Sequence, residues 1–255
     1  MFGKNVILKQ ERTNPDGKLA VQNIFYTLQG EGPFSGCPAV FIRLAGCHLA
    51  CTFCDTEFDS GINNRMSVED IVLKAISVLP GQYHQRPLVV LTGGEPLRQN
   101  TAPLVHALRE QGFLHVQYET AGNLWEPELA MFFGLANNRF VTFVVSPKTP
   151  HVHPEVCART EHWKYVVRAG GDDGGVDSDG LPSIPTQANY PPPATAGLAR
   201  PWWTLDDSVN YTIWLSPCDE YDPAKNARNR DLAVQTCLKH GYRLSLQTHK
   251  LVNLP

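Results

Sequence analysis

The stretch Gly46-Cys47-His48-Leu49-Ala50-Cys51-Thr52-Phe53-Cys54-Asp55-Thr56 carries three cysteines in the spacing C-x3-C-x2-C. It follows an apolar run at residues 40–44, which predicts a buried strand. A loop that presents three thiolates at the end of a strand suits a soft metal centre, and three protein ligands leave one position open for a substrate or cofactor. Spacing alone also allows a zinc site completed by His48 or a distant cysteine, or three unrelated core thiols.

The composition narrows the class of protein. The 255 residues are 42% hydrophobic and 18% charged, as in ordinary soluble globular proteins. A net charge of -3 argues against general binding to nucleic acid or an anionic membrane. We find neither a run of about 20 apolar residues nor a signal-peptide core, so we expect a cytoplasmic protein without a membrane partner. Seven cysteines, three of them clustered, favour metal binding over a disulfide framework.

Strand and helix patterns alternate along the chain, which predicts an α/β fold with a parallel sheet and crossover helices. A capping box, S-x-x-D, places the start of one helix at Ser67. Residues 1–20 are polar and predict irregular structure, whereas residues 170–201 predict a long surface insertion within a single domain, 1–255. The other predicted helices cover 102–111 and 226–239, and the predicted strands cover 23–29, 39–44, 88–92, 115–120, 140–145, 163–168, 211–215 and 242–247.

Several polar motifs follow these strands, where functional residues of parallel sheets gather. Gly93-Gly94-Glu95-Pro96 follows a buried strand, and Ser146-Pro147-Lys148 and Ser216-Pro217-Cys218-Asp219 follow two later ones. Gln29 ends the strand predicted at 23–29, and Glu31 lies in the glycine-rich bend that follows. Taken alone, the Gln29-x-Glu31 and Gly-Gly-Glu-Pro motifs are more typical of ordinary turns, and the two later motifs are equally typical of them.

The cysteine spacing, Phe53 before Cys54, and the downstream Gly-Gly-Glu-Pro turn together resemble the radical S-adenosylmethionine (SAM) enzymes. The resemblance implies a modified partial (β/α) barrel in which Cys47, Cys51 and Cys54 hold a [4Fe-4S] cluster and SAM chelates the fourth iron. The two glycines would expose backbone groups to the methionine ammonium. The residues implied to contact SAM are Phe53, Gly94, Glu95, Ser146, Lys148, Ser216 and Asp219.

Further motifs resemble one subfamily, 7-carboxy-7-deazaguanine synthase. They are Leu28-Gln29-Gly30-Glu31-Gly32, Phe41-x-Arg43-x-x-Gly46-Cys47, Phe53-Cys54-Asp55-Thr56, Thr92-Gly93-Gly94-Glu95-Pro96 and Gln247-x-His249-Lys250. Members convert 6-carboxy-5,6,7,8-tetrahydropterin to 7-carboxy-7-deazaguanine, an early step toward queuosine. The pterin loses the hydrogen at C6 to a 5′-deoxyadenosyl radical, contracts its ring, regains the hydrogen and releases ammonia, so SAM acts catalytically. The pterin ligands implied are Leu28, Gln29, Gly30, Glu31, Arg43, Thr92, His249 and the carboxylate of Pro255.

The same resemblance implies Mg2+ bound with the help of Thr56, an electron donor such as flavodoxin, and a homodimer. One alternative is another radical SAM reaction, such as a glycyl-radical activase, which would leave Gln29, Glu31 and Pro255 unexplained. The other alternative is a zinc-binding module without enzymatic activity.

Overall fold

The computed structural model describes residues 6–11, 13–14, 16–54, 56–81, 86–133, 139–170, 175–182, 197–203 and 210–254. Within these ranges, no helix has the length and apolar character needed to cross a membrane.

Nine strands form one sheet in the order β3-β1-β2-β4-β5-β6-β7-β8-β9. The six adjacent pairs in the run β2-β4-β5-β6-β7-β8-β9 are parallel. Strand β1 is antiparallel to both β2 and β3. The predicted α/β fold is confirmed, and the parallel strands bring their carboxyl ends to one edge of the sheet. The bounds are β1 Lys18–Leu28, β2 Pro38–Leu44, β3 Arg65–Ser67, β4 Leu88–Gly93, β5 Val116–Thr120, β6 Val141–Val145, β7 His162–Val167, β8 Thr212–Pro217 and β9 Arg243–Leu244.

The helices lie in the connections between these strands and at the end of the chain. The α-helices are α1 Val68–Ser77, α2 Ala102–Glu110, α3 Pro154–Cys157, α4 Pro223–His240 and α5 Thr248–Leu251. The capping box predicted at Ser67 is confirmed, because the Asp70 amide donates to the Ser67 hydroxyl at 3.1 Å. Gly241 ends α4 in the left-handed conformation, with φ of 73°. Short 3-10 helices cover Gly32–Phe34, Pro96–Arg98, Pro127–Phe132 and Pro201–Trp203.

One large cluster of buried side chains joins the sheet to helices α1 to α4. Strand β6 is buried over its whole length, as expected for a strand covered on both faces. Trp163 and Tyr118 are fully buried in the same core, where each large side chain contributes about 1.5–3 kcal/mol through apolar burial. This core holds the strand ends, and therefore the motifs attached to them, in fixed positions.

Two predictions at the ends of the chain were wrong. Residues 1–20 were expected to be irregular, but β1 begins at Lys18 and pairs there with β3, a strand that local sequence did not reveal. The strand expected at 242–247 is only two residues long. Ser245 instead turns its hydroxyl to the Gly32 amide at 3.0 Å, and α5 begins at Thr248, whose amide donates to the Gly30 carbonyl at 3.2 Å. Contacts across the molecule therefore overrode the local pattern.

The described parts of the 170–201 segment are tied to the core. Leu181 and Leu198 are almost fully buried. The Arg200 guanidinium, also buried, binds Asp177 at 3.0 Å and Asp179 at 2.8 Å. Residues 183–196 lie outside the described part of the chain, so their surface location stays a prediction.

Candidate active site

A cavity of about 290 Å3 opens at the carboxyl ends of the parallel strands. It is where the sequence motifs meet. Predicted site residues that line it are Leu28, Gln29, Glu31, Arg43, Cys47, Cys51, Phe53, Cys54, Thr56, Thr92, Gly94, Glu95, Ser146, Lys148, Ser216, Asp219 and His249. Pro255 lies outside the described residues, so the carboxylate predicted to bind the pterin there stays a prediction.

The three-cysteine loop leaves the end of β2 and lines one wall of the cavity. Cys47 is buried, while Cys51 and Cys54 are partly buried beside the apolar side chains of Leu49 and Phe58. The Leu49 amide donates to the Cys47 sulfur at 3.4 Å, an orientation that favours a thiolate. The loop thus offers three thiols in an apolar pocket that has an open side.

This donor set fits an iron–sulfur cluster. Burial, with the nearby Glu95 carboxylate, raises the pKa of the Cys47 thiol, so a thiolate there needs a cationic metal centre. Among the described residues, no three His, Cys, Asp or Glu side chains are grouped as ligands of one metal ion. A four-iron cluster does not need that convergence, because each cysteine binds a different iron.

The Gly93-Gly94-Glu95 turn packs directly on the cysteine loop. A Cβ atom on Gly94 would lie 2.0 Å from the Gly46 carbonyl oxygen, so only glycine permits the approach. The Gly94 amide donates to the Leu44 carbonyl and the Glu95 amide to the Gly46 carbonyl, both at 3.1 Å. These two amides hold the turn against the cysteine loop, a role that the sequence interpretation missed. Any contact of the turn with an ammonium group would use carbonyl oxygens, since an ammonium only donates.

The side chain of Glu95 is buried and fully oriented. Its carboxylate accepts hydrogen bonds from the Thr120 hydroxyl at 2.7 Å, the Ala121 amide at 2.9 Å and the Leu97 amide at 3.1 Å. The turn after β4 is therefore fixed to the end of β5, and the two strand ends act as one rigid wall of the cavity.

A buried ion pair joins the glycine-rich bend after β1 to β7. Glu31 and Lys164 are each only 9% exposed, and the Lys164 ammonium donates to the Glu31 carboxylate. Burial acts to raise the pKa of Glu31, but the charge and hydrogen bond of Lys164, with help from Gln247, hold that pKa below its ordinary value. Glu31 is thereby kept as a carboxylate inside the cavity.

Sequence reasoning missed Glu119, which lies near the end of β5. Its carboxylate accepts hydrogen bonds from Thr92 Oγ1 at 3.0 Å, Gln29 Nε2 at 3.2 Å and Gln117 Nε2 at 3.3 Å. Two of these donors were predicted site residues. The available signal was the strand-end position of a charged residue, two residues after the polar Gln117 on the same face. Lys164 was also missed, because it lies in the middle of β7.

The strand ends of β6 and β8 supply the opposite wall. Lys148 donates from Nζ to the Ser146 carbonyl at 2.8 Å and to its hydroxyl at 2.5 Å, and Nζ lies 5.8 Å from the centre of the Phe53 ring. Burial lowers the pKa of Lys148. Asp219 binds Lys250 at 2.7 Å. Partial burial acts to raise the pKa of Asp219, but hydrogen bonds from Lys250, the Tyr221 amide and Asn226 together lower it to about 2.

The predicted pterin residues Gly30 and His249 meet each other at the rim. Gly30 does not line the cavity itself. A Cβ on Gly30 would lie 2.1 Å from His249 Nδ1, so the glycine makes room for the imidazole. The Arg43 guanidinium, which also lines the cavity, lies 5.3 Å from the centre of the Phe25 ring, and this ring stacks on Phe41. The cavity therefore combines charged groups with aromatic side chains.

Comparison with known proteins agrees with this geometry. The model of the radical SAM superfamily matches residues 41–170. A 7-carboxy-7-deazaguanine synthase of Rhodospirillum rubrum is 39% identical over all of both chains. The synthase of Rickettsia prowazekii is 34% identical over 100% of this chain and 96% of that protein. The crystal structure of QueE from Escherichia coli superposes with a TM-score of 0.59 at 26% identity, covering 90% of this chain and 93% of that one. The chain therefore belongs to the 7-carboxy-7-deazaguanine synthase family of radical SAM enzymes.

Proposed function

We propose that this enzyme converts 6-carboxy-5,6,7,8-tetrahydropterin to 7-carboxy-7-deazaguanine with loss of ammonia. One observation carries the proposal: the three-cysteine loop, the Gly93-Gly94-Glu95 turn and the polar side chains expected to bind a pterin all line the same cavity. Those polar side chains are Gln29, Glu31, Arg43, Thr92 and His249, to which we add Glu119.

The cofactors are a [4Fe-4S] cluster and SAM. Cys47, Cys51 and Cys54 are the residues that would hold the cluster, and its remaining iron would be open to SAM. When bound, the cluster supplies an electron for cleavage of SAM, and SAM supplies the radical that removes hydrogen from the substrate. Lys148 and the carbonyls of the Gly93–Gly94 turn offer a cation and acceptors suited to the carboxylate and ammonium of SAM.

The chain's own residues bind and orient the pterin. A reduced pterin presents an amide and a 2-amino group, whose N–H groups suit the carboxylate that Lys164 keeps ionised at Glu31. Arg43 suits the carboxylate of the substrate. Apolar side chains around the cavity exclude water from a reactive radical and hold C6 in one position; they are Phe25, Leu28, Phe41, Leu49 and Phe58.

A magnesium ion belongs to the same proposal. Thr56, two positions after Cys54 in the sequence, lines the cavity. A hydroxyl, the substrate carboxylate and waters make a set of hard oxygen ligands, which Mg2+ prefers. The ion would neutralise charge next to the reacting ring.

The proposal extends to the domain organisation and to the partners of the enzyme. We propose one domain over residues 1–255, since β7 and β8, which flank the 170–201 segment, pair over their full lengths. A homodimer and a flavodoxin-like electron donor follow from the family. Sedimentation of the holoenzyme tests the first, and replacement of dithionite by reduced flavodoxin tests the second.

Anaerobic turnover tests the proposed reaction. Reconstituted enzyme is mixed with dithionite, SAM, Mg2+ and the pterin, and products are identified by mass spectrometry. We expect 7-carboxy-7-deazaguanine from the wild type and from Cys37→Ala, whose cysteine is exposed and outside the cavity, and none from Cys51→Ala. SAM cleavage without formation of a deazapurine would exclude the pterin as the substrate. It would favour another radical SAM reaction, such as that of a glycyl-radical activase.

A further inference from the structure

Arg98 packs against the cysteine loop and is not among the residues that line the cavity. Only 4% of its surface is exposed. Its Nη2 donates to the Ala45 carbonyl at 3.3 Å, and a Cβ on Gly46 would lie 2.9 Å from its Nε. The guanidinium therefore packs against the backbone from which Cys47 extends.

The positive charge of Arg98 is only partly compensated. A guanidinium is charged at any working pH, and its burial is unfavourable unless an anion is near. Glu11 is 3.8 Å from Arg98 Nη1, but it is partly exposed and also binds Arg65 at 3.2 Å. Arg98 Nη1 further donates to the Lys9 carbonyl at 3.2 Å. Its buried Nε has no hydrogen-bond partner among the described residues.

We propose that Arg98 is a fixed positive charge behind the cluster that raises the reduction potential of the cluster held by Cys47, Cys51 and Cys54. Reduction adds negative charge to the cluster, and a nearby buried cation favours the more negative state. The bound cluster in turn supplies the anion that the buried guanidinium lacks. Arg98 does not line the substrate cavity and is not a cluster ligand, so it acts by positioning the loop and compensating charge.

Gln99 provides a matched control on the same carbonyl. Its Nε2 donates to Ala45 O at 3.3 Å, the same distance as Arg98, and the side chain is fully buried and neutral. Gln99 also pairs with Ala20 through two hydrogen bonds of 2.7 and 3.0 Å. Changing Gln99 removes a hydrogen bond to the loop without removing a charge.

The test is the midpoint potential of the cluster in reconstituted full-length protein. Arg98→Met, Arg98→Lys, Gln99→Met and wild type are titrated potentiometrically, with iron and sulfide counted per chain. We expect Arg98→Met to have the lower potential, so that its reduced-to-oxidised ratio at the wild-type midpoint falls on the order of tenfold. Arg98→Lys and Gln99→Met should keep the wild-type midpoint potential. The proposal would be overturned if Arg98→Met kept the wild-type potential, or if Gln99→Met lowered the potential as much as Arg98→Met does.

A second variant decides the matter if Arg98→Met fails to hold a cluster. Glu11→Gln removes the partly exposed counter-charge and leaves Arg98 in place, so the potential should rise. No rise would mean that the charge of Arg98 is not felt at the cluster. The inference depends on the cluster and not on the pterin, so absence of deazapurine formation would leave it standing.

Discussion

At the scale of single residues, the cavity is organised by two carboxylates that neighbouring side chains hold in place. Glu31 is buried and stays ionised because Lys164 supplies a positive charge and a hydrogen bond. Glu119 is partly buried and accepts hydrogen bonds from Thr92, Gln29 and Gln117. The two carboxylates therefore meet the substrate already oriented.

Replacing Lys164 should weaken pterin binding and change its pH dependence. In Lys164→Met, the cation that lowers the pKa of Glu31 is lost while burial remains, so that pKa rises. The acid limb of kcat/KM should move to higher pH, with a drop of about 10- to 100-fold in kcat/KM, the worth of a charge-assisted hydrogen bond. Lys164→Arg, which keeps the charge, should retain the wild-type limb. An acid limb that stays in place in Lys164→Met would contradict this role.

Gly30→Ala should disturb His249 without disturbing the fold. The new Cβ would need the space now filled by His249 Nδ1, 2.1 Å away, so the imidazole must leave its position. Because misplacing a binding group by about 1 Å can lower rates on the order of 100-fold, we expect a large fall in kcat/KM with cluster content unchanged. Gly81→Ala is the control, since nothing lies within 4 Å of its Cβ. Equal kcat/KM values for both variants would show that His249 does not contribute to substrate binding.

At the scale of elements, α2 begins on a carboxylate from a distant loop. Glu126 Oε2 accepts the Thr101 amide at 2.8 Å and the Ala102 amide at 3.3 Å, and Oε1 accepts the Thr101 hydroxyl at 2.9 Å. A helix start needs such acceptors for its first amides. Burial nevertheless raises the pKa of Glu126 to about 8.

This shift predicts how stability depends on pH. A carboxyl whose pKa is higher in the folded state stabilises fully below its unfolded pKa, and the contribution is lost as pH rises through the folded pKa. Unfolding free energy should therefore fall between about pH 4.5 and 8, and Glu126→Gln should flatten that slope. Urea unfolding at a series of pH values measures it. Equal slopes in both proteins would mean that Glu126 stays ionised throughout.

Sequence reasoning succeeded for elements with local causes. The cysteine loop, the Ser67 cap and the buried strand before Gly93 are each specified by adjacent residues. It failed where contacts between distant segments decide the structure. The pairing of Lys18 with Ser67, and the early end of β9, depend on partners far along the chain. Glu119 and Lys164 were missed for the same reason, because their roles come from Thr92 and Glu31.

At the scale of the whole molecule, the parallel sheet gathers these parts. Six consecutive parallel pairings, from β2 through β4, β5, β6, β7 and β8 to β9, bring the strand ends to one edge. The segment after β9 then returns to the bend after β1, where Thr248 binds Gly30 through both its amide and its hydroxyl. The segment after β9 is thus joined to the bend after β1, next to the cavity residues Gln29 and His249.

The most direct test of the account is the ratio of deazapurine formed to SAM consumed in one anaerobic reaction. If the cavity returns the hydrogen to the rearranged substrate, each SAM serves repeatedly. We therefore predict 7-carboxy-7-deazaguanine in large excess over 5′-deoxyadenosine. Equal amounts of the two products, or 5′-deoxyadenosine alone, would contradict the proposed reaction.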